Sequence, residues 1–133
     1  MPTRYHITPY DPKAWQSNDD TIPKPSSDLH IFFSDFMRQA RFVWPDMGVH
    51  PPRGWVIYYN QEAGVSGLFK GDLFQILTIE GIDHGFAEFV VWYRTYIPSQ
   101  YPVFLFEEGD WDRLELTNKI TEADIIAFLG IDH

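Results

Sequence analysis

A chain of 133 residues with 10 Lys plus Arg against 19 Asp plus Glu, a formal net charge of -9 and 17% aromatic residues has room for one hydrophobic core. Cysteine is absent, which excludes a disulfide framework, a thiolate nucleophile and the cysteine-ligated zinc sites. A domain of this size buries about two-thirds of the surface its unfolded chain exposes, so it needs no staple to fold.

The charge is divided unevenly. Residues 1–60 balance, with Arg4, Lys13, Lys24, Arg38, Arg41 and Arg53 matched by Asp11, Asp19, Asp20, Asp28, Asp35 and Asp46. The whole negative excess therefore lies in residues 61–133. Nucleic-acid backbones are bound by neutralising phosphates with Lys and Arg, so no nucleic-acid partner is expected. Net charge of this size serves solubility and also favours a basic partner or a cation.

In chain order, residues 1–25 carry Pro2, Pro9, Pro12, Pro23 and Pro25 and read as a proline-rich arm in which neither a helix nor a central strand persists. Tyr5, Tyr10 and Trp15 suggest that the arm lies across the domain, residues 26–133, or across a second copy. The opening MPTRYHITPY has no signal-peptide core, and no stretch approaches the roughly 20 apolar residues of a membrane helix. A cytoplasmic protein without a membrane partner is the expectation.

A long helix follows, capped by Ser26 or Ser27. Leu29, Phe32, Phe33, Phe36, Ala40, Val43 and Trp44 form its apolar stripe, and Pro45 ends it. Arg38 and Arg41 lie off the stripe, as solvated charges or as a basic contact patch. Beyond the loop PDMGVHPPRG, strands are predicted over Trp55 to Asn60, Leu68 to Glu80 with a break near Gly71-Asp72, Phe86 to Ile97, Val103 to Glu107 and Asp112 to Leu116. A short helix closes the chain, opened at Thr121 by a capping-box variant with Asp124 and ended by Gly130. Short turns between successive strands imply an antiparallel meander of about five strands, an α+β fold with the long helix on one face.

The standard chemical signatures fail. In Gly64-Val65-Ser66-Gly67 the residue at the place of the second glycine of a nucleophile elbow is Leu68. Phosphate-cradling glycine loops and the zinc-protease His pair are missing, and the five histidines stand singly. Asp83-His84, the one adjacent acid-histidine pair, sits in a turn sequence, where neighbouring side chains rarely face each other. No cofactor or metal and no catalytic residue is assigned.

Glu107, Glu108, Asp110, Asp112 and Glu115, with Trp111 in their midst, form the densest polar constellation. Its spacing does not match a calcium loop. The remaining readings are a solvated hairpin tip that resists edge pairing, and a flat Trp anchor in an acidic ring that recognises a basic protein. The function this favours is a non-catalytic binding protein of the inhibitor, immunity or adaptor kind. The alternative is a small-molecule binder or enzyme using a pocket between sheet and helix, with Glu88, Trp92, Arg94 and Tyr96 on one face of the third strand. Dimerisation through the arm or a sheet edge is a third possibility.

Overall fold

Tyr5, Ile7, Trp55, Ile57, Val65, Phe69, Leu77, Ile79 and Leu105 stand at alternate positions of their segments and are all buried. Such period-two burial is what one face of an antiparallel sheet produces. The computed structural model describes residues 4–9, 31–50, 54–58, 64–70, 76–80, 84–107 and 112–130. In chain order these form β1 (Arg4–Thr8), α1 (Phe33–Val43), β2 (Gly48–His50), β3 (Gly54–Tyr58), β4 (Gly64–Lys70) and β5 (Ile76–Glu80). They continue with α2 (His84–Tyr96), β6 (Phe104–Glu107), β7 (Arg113–Glu115) and α3 (Glu122–Leu129).

The fold is α+β with one seven-stranded sheet in the order β2-β3-β4-β5-β1-β6-β7, every neighbouring pair antiparallel. The meander expected from the sequence holds from β3 to β5, and β2 extends it at the edge, inside residues read as a loop. Beyond β5 it is interrupted by β1, which pairs with β5 through Tyr5↔Ile79 and with β6 through Ile7↔Leu105. A strand antiparallel to both neighbours makes those neighbours parallel to each other, so β5 and β6 must be joined by a crossover rather than a turn. Helix α2 is that crossover.

Two sequence readings are thereby corrected. Residues 4–8 belong to an internal strand of the sheet, although Pro2 and Pro9 bracket them. Proline forbids pairing only where its own missing N–H is needed, and both prolines fall outside the five paired residues. The rest of the expected arm lies outside the described residues. The predicted third strand, Phe86 to Ile97, is helix α2. Phe86, Ala87, Phe89, Val90, Tyr93 and Arg94 are buried, while among its described side chains Glu88 and Thr95 are the exposed ones. A helix enclosed on nearly all sides carries apolar residues at every phase, which erases the stripe that would distinguish it from a buried strand.

The first helix is shorter than expected. Ile31 and Phe32 are not helical, and Phe32 occupies the N-cap position in extended conformation without a side-chain cap, so Ser26 and Ser27 do not open it. Its other end agrees with the proline argument, the helix stopping at Val43 with Trp44 outside it. Trp44 is buried, whereas Val43, counted in the apolar stripe, is exposed.

Both long helices pack on the same sheet face through rings. Phe36 of α1 is fully buried and meets Phe69 at 4.8 Å, Trp55 and Trp92 at 5.7 Å and Tyr96 at 5.8 Å between ring centroids. Phe89 of α2 lies 4.5 Å from Trp55 and Phe86 lies 5.2 Å from Tyr5. Gly67 of β4, opposite Trp55 in the ladder, leaves the space into which the indole extends. Helix α3 forms as its capping sequence predicts. Thr121 Oγ1 accepts from the Asp124 N–H at 3.2 Å, the Asp124 carboxylate accepts from the Thr121 N–H at 3.1 Å, and Gly130 ends the helix with φ 73°.

Candidate functional site

The acidic constellation sits at the far edge of the sheet from β2. Pairing of Phe106 with Arg113 brings the end of β6 and the start of β7 side by side, so Glu107 and Asp112 flank the mouth of the hairpin loop. Asp112 is exposed and Glu107 is half-buried. Glu107 stands opposite Tyr5, whose hydroxyl pKa is raised by burial and, secondarily, by this carboxylate. Glu108, Asp110 and Trp111 lie outside the described residues. Glu115 on β7 and Glu122 and Asp124 in the first turn of α3 are exposed as well. From Glu107 to the end of α3 the described acids are thus Glu107, Asp112, Glu115, Glu122 and Asp124, against Arg113 and Lys119.

The four residues expected to line a pocket do not share a face. On α2, Glu88, Trp92 and Tyr96 succeed one another at four-residue spacing, which is one row of a helix, and Arg94 projects from the opposite side. Trp92 and Tyr96 stack on each other at 5.5 Å, Trp92 meets Trp44 at 5.4 Å, and the Tyr96 hydroxyl donates to Asp35 at 3.3 Å. Burial first, and then Asp35, push the Tyr96 pKa far above the ordinary tyrosine value. These rings pack between α2 and α1 with its trailing Trp44.

Arg94 is 5% exposed and has a structural task that the sequence did not announce. Its guanidinium donates to the carbonyls of Ile97 at 3.1 Å and of Ser99 and Tyr101 at 3.4 Å, binding the C-terminal end of α2 to the turn that leads into β6. A cation at this place meets the negative end of the helix dipole and orphan carbonyls together. Glu88 is exposed.

The sheet face away from the helices carries a second polar group of residues that the sequence reading missed, because it assigned Arg4 and His6 to an arm. Arg4 Nε binds Glu80 Oε1 at 2.8 Å, and His6 Nδ1 lies 3.0 Å from Thr78 Oγ1. Ser66 of the Gly64-Val65-Ser66-Gly67 segment is in the middle of β4, beside Glu80, and borders a cleft of about 220 Å³ with Arg4 and Thr78. That places Ser66 in a strand rather than at a strand-to-helix elbow. Asp83 lies outside the described residues, and His84 is the first residue of α2. Among the described residues no three His, Asp or Glu side chains are grouped to hold a metal ion, and no helix is long and apolar enough to cross a membrane.

No family model matches the chain, and no curated protein or solved structure shows significant similarity to it.

Proposed function

We propose that this chain is a non-catalytic binding protein whose acidic β6–β7–α3 edge receives a basic macromolecular partner. The supporting observation is the segregation of charge across the sheet. Exposed carboxylates come from the hairpin mouth, the last strand and the first turn of α3 and outnumber Arg113 and Lys119 among them, while Arg38 belongs to α1 and Arg4, on β1 two strands from β7, is paired with Glu80. At about 4.8 Å per strand, β7 stands roughly 29 Å from β2, between about three and four Debye lengths at physiological salt. The cations of α1, which packs toward the β2 side, therefore do little to screen the acidic edge. A field of one sign over such an edge accelerates encounter with a partner of opposite sign and makes association depend on salt.

The test is capture on the immobilised full chain at low ionic strength, followed by binding measurements on whatever basic protein is retained. Affinity should fall for the combined Asp110→Ala, Trp111→Ala, Asp112→Ala variant and fall further when Glu115→Lys is added. A partner that binds this variant as tightly as the parent chain, or one whose affinity does not change between low and high salt, would remove the proposal.

A further inference from the structure

The opposite edge of the molecule carries a surface of different chemistry. Among the large apolar side chains of α1, Phe42 is 80% exposed and Val43 is 43% exposed, while Val49 of β2 is 42% exposed. Scattered apolar residues on a surface need no explanation, but Phe42 and Val49 line one groove. The groove has a volume of about 590 Å³ between α1 and β2, with Phe33, Met37 and Phe42 along the helix side and Val49 on the strand side. Among the described residues Arg38 and Arg41 are the charged residues of its lining, and no carboxylate lines it. Arg38 donates through Nη2 to Asp35 one turn earlier and keeps further N–H groups in its guanidinium. Arg41 has no ion-pair partner among the described residues. Arginine, methionine and phenylalanine together are the side chains enriched where proteins meet.

The strand beside the groove defines how a partner would lie. β2 is the terminal strand of the sheet, and among the described residues nothing pairs with its outer edge. An extended segment added there would run about 4.8 Å outside β2 and present alternate side chains to each face. Val49 pairs with Trp55 and shares its face, the helix side, so every second residue of the added segment would lie over the groove. Those residues would meet Phe42 and the two guanidiniums. We infer that the α1–β2 groove is a docking site for an extended segment of a partner protein that alternates apolar and acidic residues and adds a strand to β2. Charge decides against a second copy of the chain. A two-fold contact through this groove would set Arg38 and Arg41 against their own images and bring together two molecules of net charge -9. This site is independent of the acidic edge, and either can fail without the other.

The experiment is selection of random twelve-residue peptides displayed on phage against the immobilised full chain, with counter-selection against Phe42→Ser. Both Phe42 and Arg41 are exposed, so Phe42→Ser and Arg41→Glu should leave the thermal midpoint unchanged, and that is checked first. Enriched peptides are expected to carry net negative charge with apolar residues at alternate positions. The best of them, made synthetically, should lose about ten-fold or more in affinity to Arg41→Glu and to Phe42→Ser. It should also slow amide exchange at Val49. Enrichment of neutral or basic sequences, undiminished binding to both variants, or no enrichment above the counter-selected background would overturn the inference. So would sedimentation equilibrium showing a dimer dissolved by Arg41→Glu, or binding of vesicles rich in anionic lipid through the same two residues without any peptide selected.

Discussion

Replacing Gly67 by alanine isolates the contact on which the ring-filled core is built. An alanine Cβ at this position would lie 2.3 Å from Trp55 Cζ2, 2.6 Å from Cε2 and 3.0 Å from Cη2. Carbon atoms settle at about 3.5–4.0 Å, so the indole must withdraw by roughly 1.2 Å at its closest point. It has little freedom to do so, being fully buried and held by Phe89 at 4.5 Å and Phe36 at 5.7 Å. Overpacking of this kind costs about 1–3 kcal/mol, and the depth of the clash places Gly67→Ala in the upper half of that range. The smaller entropy cost of fixing alanine opposes it by about 0.5–1 kcal/mol, which leaves a net loss near 2 kcal/mol. For a chain of this length that is a fall in melting temperature of roughly 6–10 °C. Urea unfolding followed by far-ultraviolet circular dichroism measures it without relying on Trp55 fluorescence. Trp55→Phe removes the ring atoms that clash and should rescue Gly67→Ala in a double-mutant cycle, with a favourable coupling of about 1 kcal/mol or more. If Gly67→Ala lies within about 0.5 kcal/mol of the parent, or the two substitutions simply add, the close approach of indole to strand is wrong.

Three further outcomes follow from individual contacts. Arg94→Met leaves the carbonyls of Ile97, Ser99 and Tyr101 without their donor and should cost about 1.5–3 kcal/mol in the same unfolding assay, with Arg94→Lys recovering part of it because an ammonium cannot span three acceptors as a planar fork does. Thr121→Ala should cost about 1 kcal/mol, and adding Asp124→Ala should cost less than its own single effect, since each side chain of the box depends on the other. Stability should also decline with rising pH above about 10. The Tyr93 and Tyr96 pKa values are raised in the folded state, chiefly by burial, so the unfolded chain releases those protons first and each tyrosine removes about 1.4 kcal/mol per pH unit from there up to its folded pKa. Urea midpoints at pH 8, 10 and 11 test this, and Tyr96→Phe should flatten the alkaline slope.

Where the chain announces its local structure by residues that act within a turn of themselves, the sequence was sufficient. Thr121 and Asp124 with Gly130 define α3 by hydrogen bonds spanning three residues, and Pro45 ends α1 by a clash with its neighbour. The strands at β3 and β6 were legible from their aromatic and β-branched content and β7 from the turn residues Gly109-Asp110 ahead of it, while the region Leu68 to Glu80 holds the end of β4 and all of β5. The candidate site was legible only in part. That acidic residues gather near Glu107 and Asp112 is a property of composition, but which exposed aromatics adjoin Arg41 depends on α1 lying beside β2, a contact between segments that no local pattern encodes. Arg94 was taken for a strand residue, and its carbonyl clamp exists only because α2 ends where a turn folds back under it.

The two largest departures from the sequence reading have one cause. Had residues 4–8 been solvated arm, the place between β5 and β6 would have been open to a strand over Phe86 to Ile97, completing a meander in which every neighbour is consecutive. Once β1 enters between β5 and β6, those two strands run parallel, and the connection from Glu80 to Phe104 must carry the chain back along the length of the sheet. Only a helical or extended crossover does that. The segment has strong β propensity, with Phe89, Val90, Val91, Trp92 and Tyr93 in succession, and folds as a helix nonetheless. As a crossover over the sheet it buries Phe86, Phe89, Val90 and Tyr93 on one side while satisfying its backbone internally, which an isolated strand lying across a sheet could not do. The conformation of residues 84–96 is therefore set by the pairing of residues 4–8, some eighty positions earlier in the chain.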